Sequence, residues 1–151
     1  MQIEQIMSRD VQPCRPRDSL ADAMRVMLDR DCGCVPVVDG NNKVTGIITD
    51  RDVCRAAYTE GKPLSAIEVE NVMSKDVSSC RANENLKEAE KLMRQKQIRR
   101  IPVIDQDDHL VGLLALNDLV RAARMSRPGD EPGLWPEDVA VTLAAICEPK
   151  T

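Results

Sequence analysis

The chain is poor in aromatic residues, with one Trp, one Tyr and no Phe among 151 residues. Proteins that hold single-stranded nucleic acid stack the bases on aromatic side chains, so this scarcity argues against that function. No excess of positive charge is present either, because the formal net charge is −4. A broad basic face for a phosphate backbone is therefore not expected, and we predict no nucleic-acid partner. The core has to be built from aliphatic side chains and Met.

Long apolar runs are also missing. None approaches the roughly 20 residues that a membrane helix needs, so no membrane partner is expected. The first residues, Met1-Gln2-Ile3-Glu4-Gln5, lack the pattern of a signal peptide. The six Cys are then more consistent with reduced thiols than with a disulfide framework. Together these features predict a cytoplasmic protein.

What the chain does contain is a duplication. Met7-Ser8-Arg9-Asp10-Val11 reappears as Met73-Ser74-Lys75-Asp76-Val77, and Pro36-Val37-Val38-Asp39 as Pro102-Val103-Ile104-Asp105. Each pair is 66 residues apart, and so are Gly46 and Gly112. Two copies that are each too small to bury their own apolar face are expected to pack together about a pseudo-two-fold axis.

Each copy has the same pattern of elements. Ser19 is a good N-cap for an amphipathic helix, repeated over 85–96, and 35–38 and 43–49 are β-branched runs joined by a turn. Second helices are expected over 50–58 and 117–124. We predict an α/β fold of two tandem β-α-β-β-α units. The first domain is expected over 1–65 and the second over 66–125, with a linker and C-terminal helix over 126–151.

The C-terminal segment has no counterpart in the first copy. Its composition predicts a linker over Ser126 to Gly133. Pro136 then fits the first turn of a helix in which Val139, Leu143 and Ile146 share one face. We expect this face to dock on the rest of the chain, although a dimer surface or a partner protein would also bury it.

The segment Gly46-Ile47-Ile48-Thr49-Asp50-Arg51-Asp52 is the most informative for function. A strand ends at Thr49 and a helix begins after it, so a hydroxyl there can help to hold a phosphate. A carboxylate at Asp52 can accept hydrogen bonds from a ribose diol. The alternative is that both side chains only cap their own helix. In the second copy Asp118 is retained, and Ala115 replaces the Thr.

These motifs together resemble a pair of cystathionine-β-synthase (CBS) domains over about residues 1 to 125. The resemblance implies two clefts, each walled by both copies, that bind AMP, ATP or related adenosyl ligands such as NADH and S-adenosylmethionine, with no obligatory cofactor. It implicates Thr49 and Asp52 in one cleft and Asp118 in the other, and it places the backbone at Val35 and Ile101 near the base. It also implies a homodimer.

Basic residues before the second Pro strand are a further feature. Arg99 and Arg100 stand where the first copy has Gly33 and Cys34, and basic residues there often meet phosphates in the family. We expect one of these arginines to complete the Thr49/Asp52 site, which leaves one good site and one degraded site. The alternative is a solvated pair at the entry to a strand.

Signals for catalysis and metal binding are weak. No Ser-His-acid or Cys-His arrangement and no Gly-rich phosphate loop is present, so we predict no enzyme. Cys32-Gly33-Cys34 lacks the further ligands that zinc needs, and no metal site is predicted. The expected function is a non-catalytic sensor that signals to a regulated partner protein. The alternatives are a ligand-free interaction module and a redox regulator that uses Cys32 and Cys34.

Overall fold

The computed structural model describes residues 1–130 and 133–150. It contains five α-helices and five strands in these residues. In chain order they are α1 (Leu20–Asp29), β1 (Cys34–Val38), β2 (Val44–Thr49), α2 (Asp50–Glu60), β3 (Cys80–Arg81), α3 (Leu86–Lys96), β4 (Arg100–Ile104), β5 (Leu110–Ala115), α4 (Leu116–Met125) and α5 (Pro136–Cys147). Both predicted copies are therefore mixed α/β, and the predicted fold class is confirmed.

The chain divides into two compact units that each draw on both copies of the repeat. Unit I comprises 12–77 with 108–110, and unit II comprises 1–11, 78–107 and the chain from Val111 onward. The opening segment of each copy thus packs in the unit built by the body of the other copy. The predicted boundaries, 1–65, 66–125 and 126–151, describe the copies in the sequence and stay a prediction for domains.

Reciprocal backbone hydrogen bonds hold the exchanged segments. Ser8 and Leu113 bond each other at 3.0 and 2.9 Å in unit II, and Ser74 and Ile47 do the same in unit I. The strand that receives each segment carries a glycine at the contact. A Cβ on Gly112 would lie 2.6 Å from Met7 Sδ and 2.9 Å from the Ser8 carbonyl oxygen. Only glycine fits there, because real Cβ atoms do not approach so closely.

The sheets are small and differ between the units. Unit I has the antiparallel pair β1–β2, with Val35 opposite Ile48, and its first predicted strand is reduced to a single bridge between Cys14 and Val37. Unit II has the order β3-β4-β5, with β3 parallel to β4. Every residue of β1 is buried, which explains why that strand lacks alternation of polar and apolar residues.

Each unit has its own apolar core, in which helices cover the sheet. In the core of unit I the largest fully buried side chains are Leu20, Val35, Val37, Ile48 and Val69. In the core of unit II they are Ile3, Met93, Ile101, Val103, Leu114 and Leu119. Aliphatic residues and Met fill both cores, as the scarcity of aromatics predicts.

The C-terminal helix α5 docks on unit II, which agrees with the expectation that it covers its own chain. Val139 and Ile146 are buried in the core of that unit, but Leu143, predicted on the same face, is exposed, and Thr142 is buried instead. Thr142 is accommodated because Arg94 donates to its hydroxyl at 3.0 Å and the hydroxyl lies 3.4 Å from Glu90. Part of the predicted linker, Glu131 and Pro132, lies outside the described residues.

None of the helices in the described part of the chain is long and apolar enough to cross a membrane.

Candidate functional site

The start of α2 contains the first predicted pair, Thr49 and Asp52, and its geometry is a reciprocal cap. The Asp52 backbone N–H donates to Thr49 Oγ1 at 3.2 Å, and the Thr49 N–H donates to Asp52 Oδ2 at 3.0 Å. Thr49 is extended, with φ −115° and ψ 162°, because β2 runs directly into the helix. The reciprocal cap is therefore present, and ligand binding by Thr49 and Asp52 stays a prediction.

Capping leaves part of both side chains available for a ligand. Asp52 is half-buried, and within residues 1–130 and 133–150 its Oδ1 has no hydrogen-bond partner. The Thr49 hydroxyl accepts one hydrogen bond and keeps its own proton free to donate. A carboxylate oxygen and a hydroxyl thus remain side by side at the junction of β2 and α2.

The backbone N–H groups of the same helix start are less available than the sequence suggests. The Asp50 N–H donates to the Gly33 carbonyl oxygen at 3.1 Å, and the Arg51 N–H donates to Asp50 Oδ1 at 2.8 Å. With Asp52 N–H capped by Thr49, the first three N–H groups of α2 are all bonded within the chain. The Asp50 carboxylate thereby accepts from an N–H group that would otherwise be available to a phosphate.

Asp50 was not among the predicted site residues, although it stands between two that were. Its carboxylate lies over Gly33, so close that a Cβ on that glycine would be 3.0 Å from Asp50 Oδ2. The Asp-Arg-Asp sequence after Thr49 shows a high density of negative charge at a helix start, but not the direction of each carboxylate. Unit I therefore presents two carboxylates, Asp50 and Asp52, at this junction.

A second cap in the same unit provides an internal comparison. At the start of α1, the Ser19 N–H donates to Asp22 Oδ2 at 2.9 Å and the Asp22 N–H donates to Ser19 Oγ at 3.1 Å. The Ser19 N–H and the Ser19 hydroxyl, which also lies 3.0 Å from Asp22 Oδ2, both donate to this carboxylate and lower the pKa of Asp22 below its ordinary value. The Ser19/Asp22 pair forms the same kind of reciprocal cap as Thr49/Asp52. Unlike that pair, it does not lie at the end of a named β-strand.

The equivalent carboxylate of unit II, Asp118, is in a different state. It is only 4% exposed, one oxygen accepts the Ala115 N–H at 2.7 Å, and the other contacts the Arg121 guanidinium. Burial raises the pKa of Asp118, and the hydrogen bond from Ala115 and the charge of Arg121 oppose that rise. Both oxygens of Asp118 are therefore occupied within its own helix.

The arginines predicted near phosphate differ from each other. Arg99 is exposed, and its guanidinium lies 3.9 Å from Sγ of Cys147 in α5. Arg100, the first residue of β4, is half-buried, and its side chain has no partner among the described residues. Only Arg100 therefore keeps its full set of donors for an anion.

The two positions predicted near the base are buried strand residues. Val35 is 1% exposed in β1, and Ile101 is not exposed at all in β4. Their side chains belong to the cores of units I and II, so any contact with a ligand there would be made by backbone atoms.

Cys32 and Cys34 differ in exposure. Cys32 is half-buried, whereas Cys34 is buried as the first residue of β1, opposite Thr49. A buried thiol is poorly accessible to oxidants, which weakens the redox interpretation for Cys34.

Comparison with known proteins fits this architecture. The CBS domain family model matches twice, over residues 3–59 and 69–124, and the chain therefore belongs to the CBS domain family. The CBS domain-containing protein YhcV of Bacillus subtilis is 34% identical over 117 residues, which are 78% of this chain and 81% of that protein.

An enzyme also contains a similar stretch. The inosine-5′-monophosphate dehydrogenase of Methanocaldococcus jannaschii is 30% identical over 147 residues, which are 97% of this chain but only 27% of the enzyme. Among solved structures, that of CBSX2 in complex with AMP is similar with a TM-score of 0.71 and 26% identity, covering 82% of this chain and 96% of that one.

Proposed function

We propose that the chain is a non-catalytic regulatory module that binds an adenosyl ligand through Thr49 and Asp52 and signals to a partner protein. The observation that carries this proposal is the unpartnered Oδ1 of the half-buried Asp52, beside the free hydroxyl proton of Thr49. A ribose diol supplies two hydroxyl donors for such a carboxylate. The AMP complex of CBSX2, a structure similar over most of this chain, supports an adenosyl ligand.

The charges at the junction bear on which adenosyl ligand is held. Asp50 and Asp52 are both carboxylates, and the first three N–H groups of α2 are already bonded. A ligand with several phosphates would meet repulsion there unless a cation were added. AMP or S-adenosylmethionine is therefore favoured over ATP and NADH at this position. The prediction that Arg99 or Arg100 completes the Thr49/Asp52 site stays a prediction.

Asp118 is a weaker candidate for ribose than Asp52. Its two oxygens are already used by Ala115 and Arg121, so a ligand would have to displace the arginine. Breaking a charge pair in a buried position costs more than filling a free acceptor. We propose that the Thr49/Asp52 site is the stronger of the two.

Isothermal titration calorimetry with AMP, ATP, NADH and S-adenosylmethionine tests the function. Asp52→Asn keeps an oxygen that can cap Thr49 but removes the charge that a ribose diol prefers, so affinity should fall about tenfold or more. Asp22→Asn is the matched control, because it changes an equivalent helix cap that no strand precedes. Equal affinity of wild type and Asp52→Asn would remove Asp52 from the site.

A ligand-free interaction module is the second candidate, and one observation favours it. All three first-turn N–H groups of α2 are satisfied by the chain itself, so the start of this helix needs no bound anion. In that case none of the four compounds would raise the melting temperature at millimolar concentration, whereas a ligand of the folded state must raise it.

Linkage sets a condition on signalling to a partner protein. A partner that prefers the liganded form must itself tighten ligand binding by the same factor. The homodimer and the regulated protein are part of the proposal. The same holds for the absence of catalysis, since the dehydrogenase shows that such a stretch also occurs within an enzyme.

A further inference from the structure

The outer face of α5 is apolar and exposed. From Val139 to Cys147 the helix has no charged side chain. Val139, Thr142 and Ile146 face the core, while Val141 is 60% and Leu143 42% exposed on the other side. A helix that is apolar all round is normally buried on all sides, so one face of α5 lacks its expected cover.

Small residues lie at the centre of this outer face. Ala140 and Ala144 are exposed and one turn apart, with Leu143 on one side and Val141 on the other. Side chains of this size let a second helix approach to the short end of the usual 8–10 Å spacing. The surface therefore has the shape to receive a helix.

Charge is distributed unequally along α5. Its first turn has the acidic residues Glu137 and Asp138, and Glu137 is exposed. Its other end opens on a groove of about 540 Å³ whose lining includes Arg94, Lys96 and Lys150, with Glu148 as its only acidic residue. One end of the outer face is thus acidic, and the surface beyond the other end is mainly basic.

We propose that a second copy of this chain packs on α5 through its own α5, with the two helices antiparallel about a two-fold axis. In a contact about a two-fold axis, a residue near one end of α5 meets a residue near the other end of α5 in the second copy. The acidic start of each helix then lies beside the basic groove of the other copy. An axis between Leu143 and Ala144 pairs Ala140 with Cys147, since the two are equidistant from it within α5. It also brings Glu137 to the side of Lys150, which follows the end of the helix. The same antiparallel alignment of the two α5 helices therefore gives both the apolar contact and the pairing of opposite charges.

This interface does not depend on the proposed ligand. It is built only from unit II, and α5 lies outside the residues that match the family model. Other exposed apolar side chains are Leu28 in α1 and Tyr58 in α2 of unit I, at 74% and 90%, and Val120 and Met125 in α4 of unit II, at 49% and 79%. A Leu28→Glu variant can serve as the control, because it also places a Glu at an exposed position but outside α5.

Sedimentation equilibrium of the full chain tests the proposal. Val141→Glu and Ala144→Glu place charge at exposed positions of α5, and each should weaken dimerisation about tenfold or more. Leu28→Glu should leave the dimer intact, and circular dichroism confirms that all three variants are folded. A wild-type chain that stays monomeric would overturn the proposal, and so would dissociation by Leu28→Glu but not by the α5 variants.

A charge exchange tests the antiparallel register. Glu137→Lys and Lys150→Glu should each weaken the dimer, because each brings like charges together across the axis. The double variant restores opposite charges and should recover the wild-type dissociation constant to within about threefold. If the losses of the single variants simply add in the double variant, Glu137 does not meet Lys150 and the register is wrong.

Discussion

Asp118, buried in the first turn of α4, forms an ion pair with Arg121 one turn further along the same helix. The equivalent residues of the first copy, Asp52 and Arg55, are not joined in the described part of the structure. The duplication therefore places an Asp at two equivalent positions with different surroundings. The Asp118 carboxylate is paired with Arg121 in its own helix, whereas Asp52 keeps one oxygen available to another molecule.

The ion pair predicts unequal effects of removing the two arginines. Arg121→Ala leaves the buried Asp118 carboxylate without its cation and should lower the free energy of unfolding by about 1–2 kcal/mol. Arg55→Ala is the matched control in the first copy and should change stability by less than about 0.5 kcal/mol. Urea unfolding at neutral pH measures both, and equal losses would show that the Asp118–Arg121 pair contributes nothing specific.

Thr49 and Ala115 are the N-cap residues of α2 and α4, and exchanging Thr and Ala at these two positions should change the stability in opposite directions. Thr49→Ala removes the side chain that accepts from the Asp52 N–H and should cost about 1 kcal/mol. Ala115→Thr gives α4, which has no side-chain cap, a hydroxyl in the same extended conformation and should stabilise by about 0.5–1 kcal/mol. Thermal unfolding compares them. Destabilisation by Ala115→Thr would mean that the half-buried site does not admit the longer side chain.

Local features of the fold could be predicted from the sequence because they depend on neighbouring residues. The Ser19/Asp22 cap, the strands on either side of the turn and the start of α2 at Thr49 agree with the pattern within about two residues. The exchange of opening segments between the units was not predicted. It joins residues far apart in sequence, for which a single sequence provides no local signal.

The candidate site could be predicted only in part, for a similar reason. The sequence identified Thr49 and Asp52, but not that Asp50 caps Arg51 or that Arg121 neutralises Asp118, since both depend on side-chain direction. One position on the buried face of α5, Leu143, was also misassigned. Periodicity alone permits Leu143 inside, but Glu90 and Arg94 supply polar partners that favour Thr142 there.

The close approach at Gly112 predicts a steric penalty. Gly112→Ala would place a Cβ against Met7 Sδ and the Ser8 carbonyl oxygen, and should destabilise by about 1–3 kcal/mol. Gly40→Ala is the control, because nothing lies within 4 Å of its Cβ position. Chemical denaturation measures both. A loss no larger than that of Gly40→Ala would show that the exchanged segment moves aside at little cost.

The thiols are predicted to react in an order set by burial. Burial raises the pKa of Cys14 to about 11 and that of Cys80 to about 12, with nearby carboxylates adding to the effect. Cys54 is exposed in α2, outside the proposed dimer contact, and should be alkylated first in the native protein, which mass spectrometry of digested peptides can follow. Faster alkylation of Cys32 and Cys34 than of Cys54 would instead support the redox alternative.

The docking of α5 is predicted to depend on pH through Glu90. This residue is 3% exposed, and burial and the neighbouring Asp138 raise its pKa above the ordinary 4.5, while Arg94, Lys87 and the Thr142 hydroxyl oppose the rise. The folded state therefore keeps a proton that the unfolded state has lost. Its stabilising contribution is complete below the unfolded value and disappears as the pH rises through the folded one.

Glu90→Gln removes this titration and should flatten that part of the stability curve. The difference in free energy of unfolding between variant and wild type should change with a slope of at most about 1.4 kcal/mol per pH unit above the ordinary Glu value, in favour of the variant at higher pH. Glu88→Gln, exposed on the same helix, should follow the wild-type curve. Parallel curves for Glu90→Gln and wild type would mean that the Glu90 carboxyl is no harder to ionise in the folded protein, because Arg94 offsets its burial.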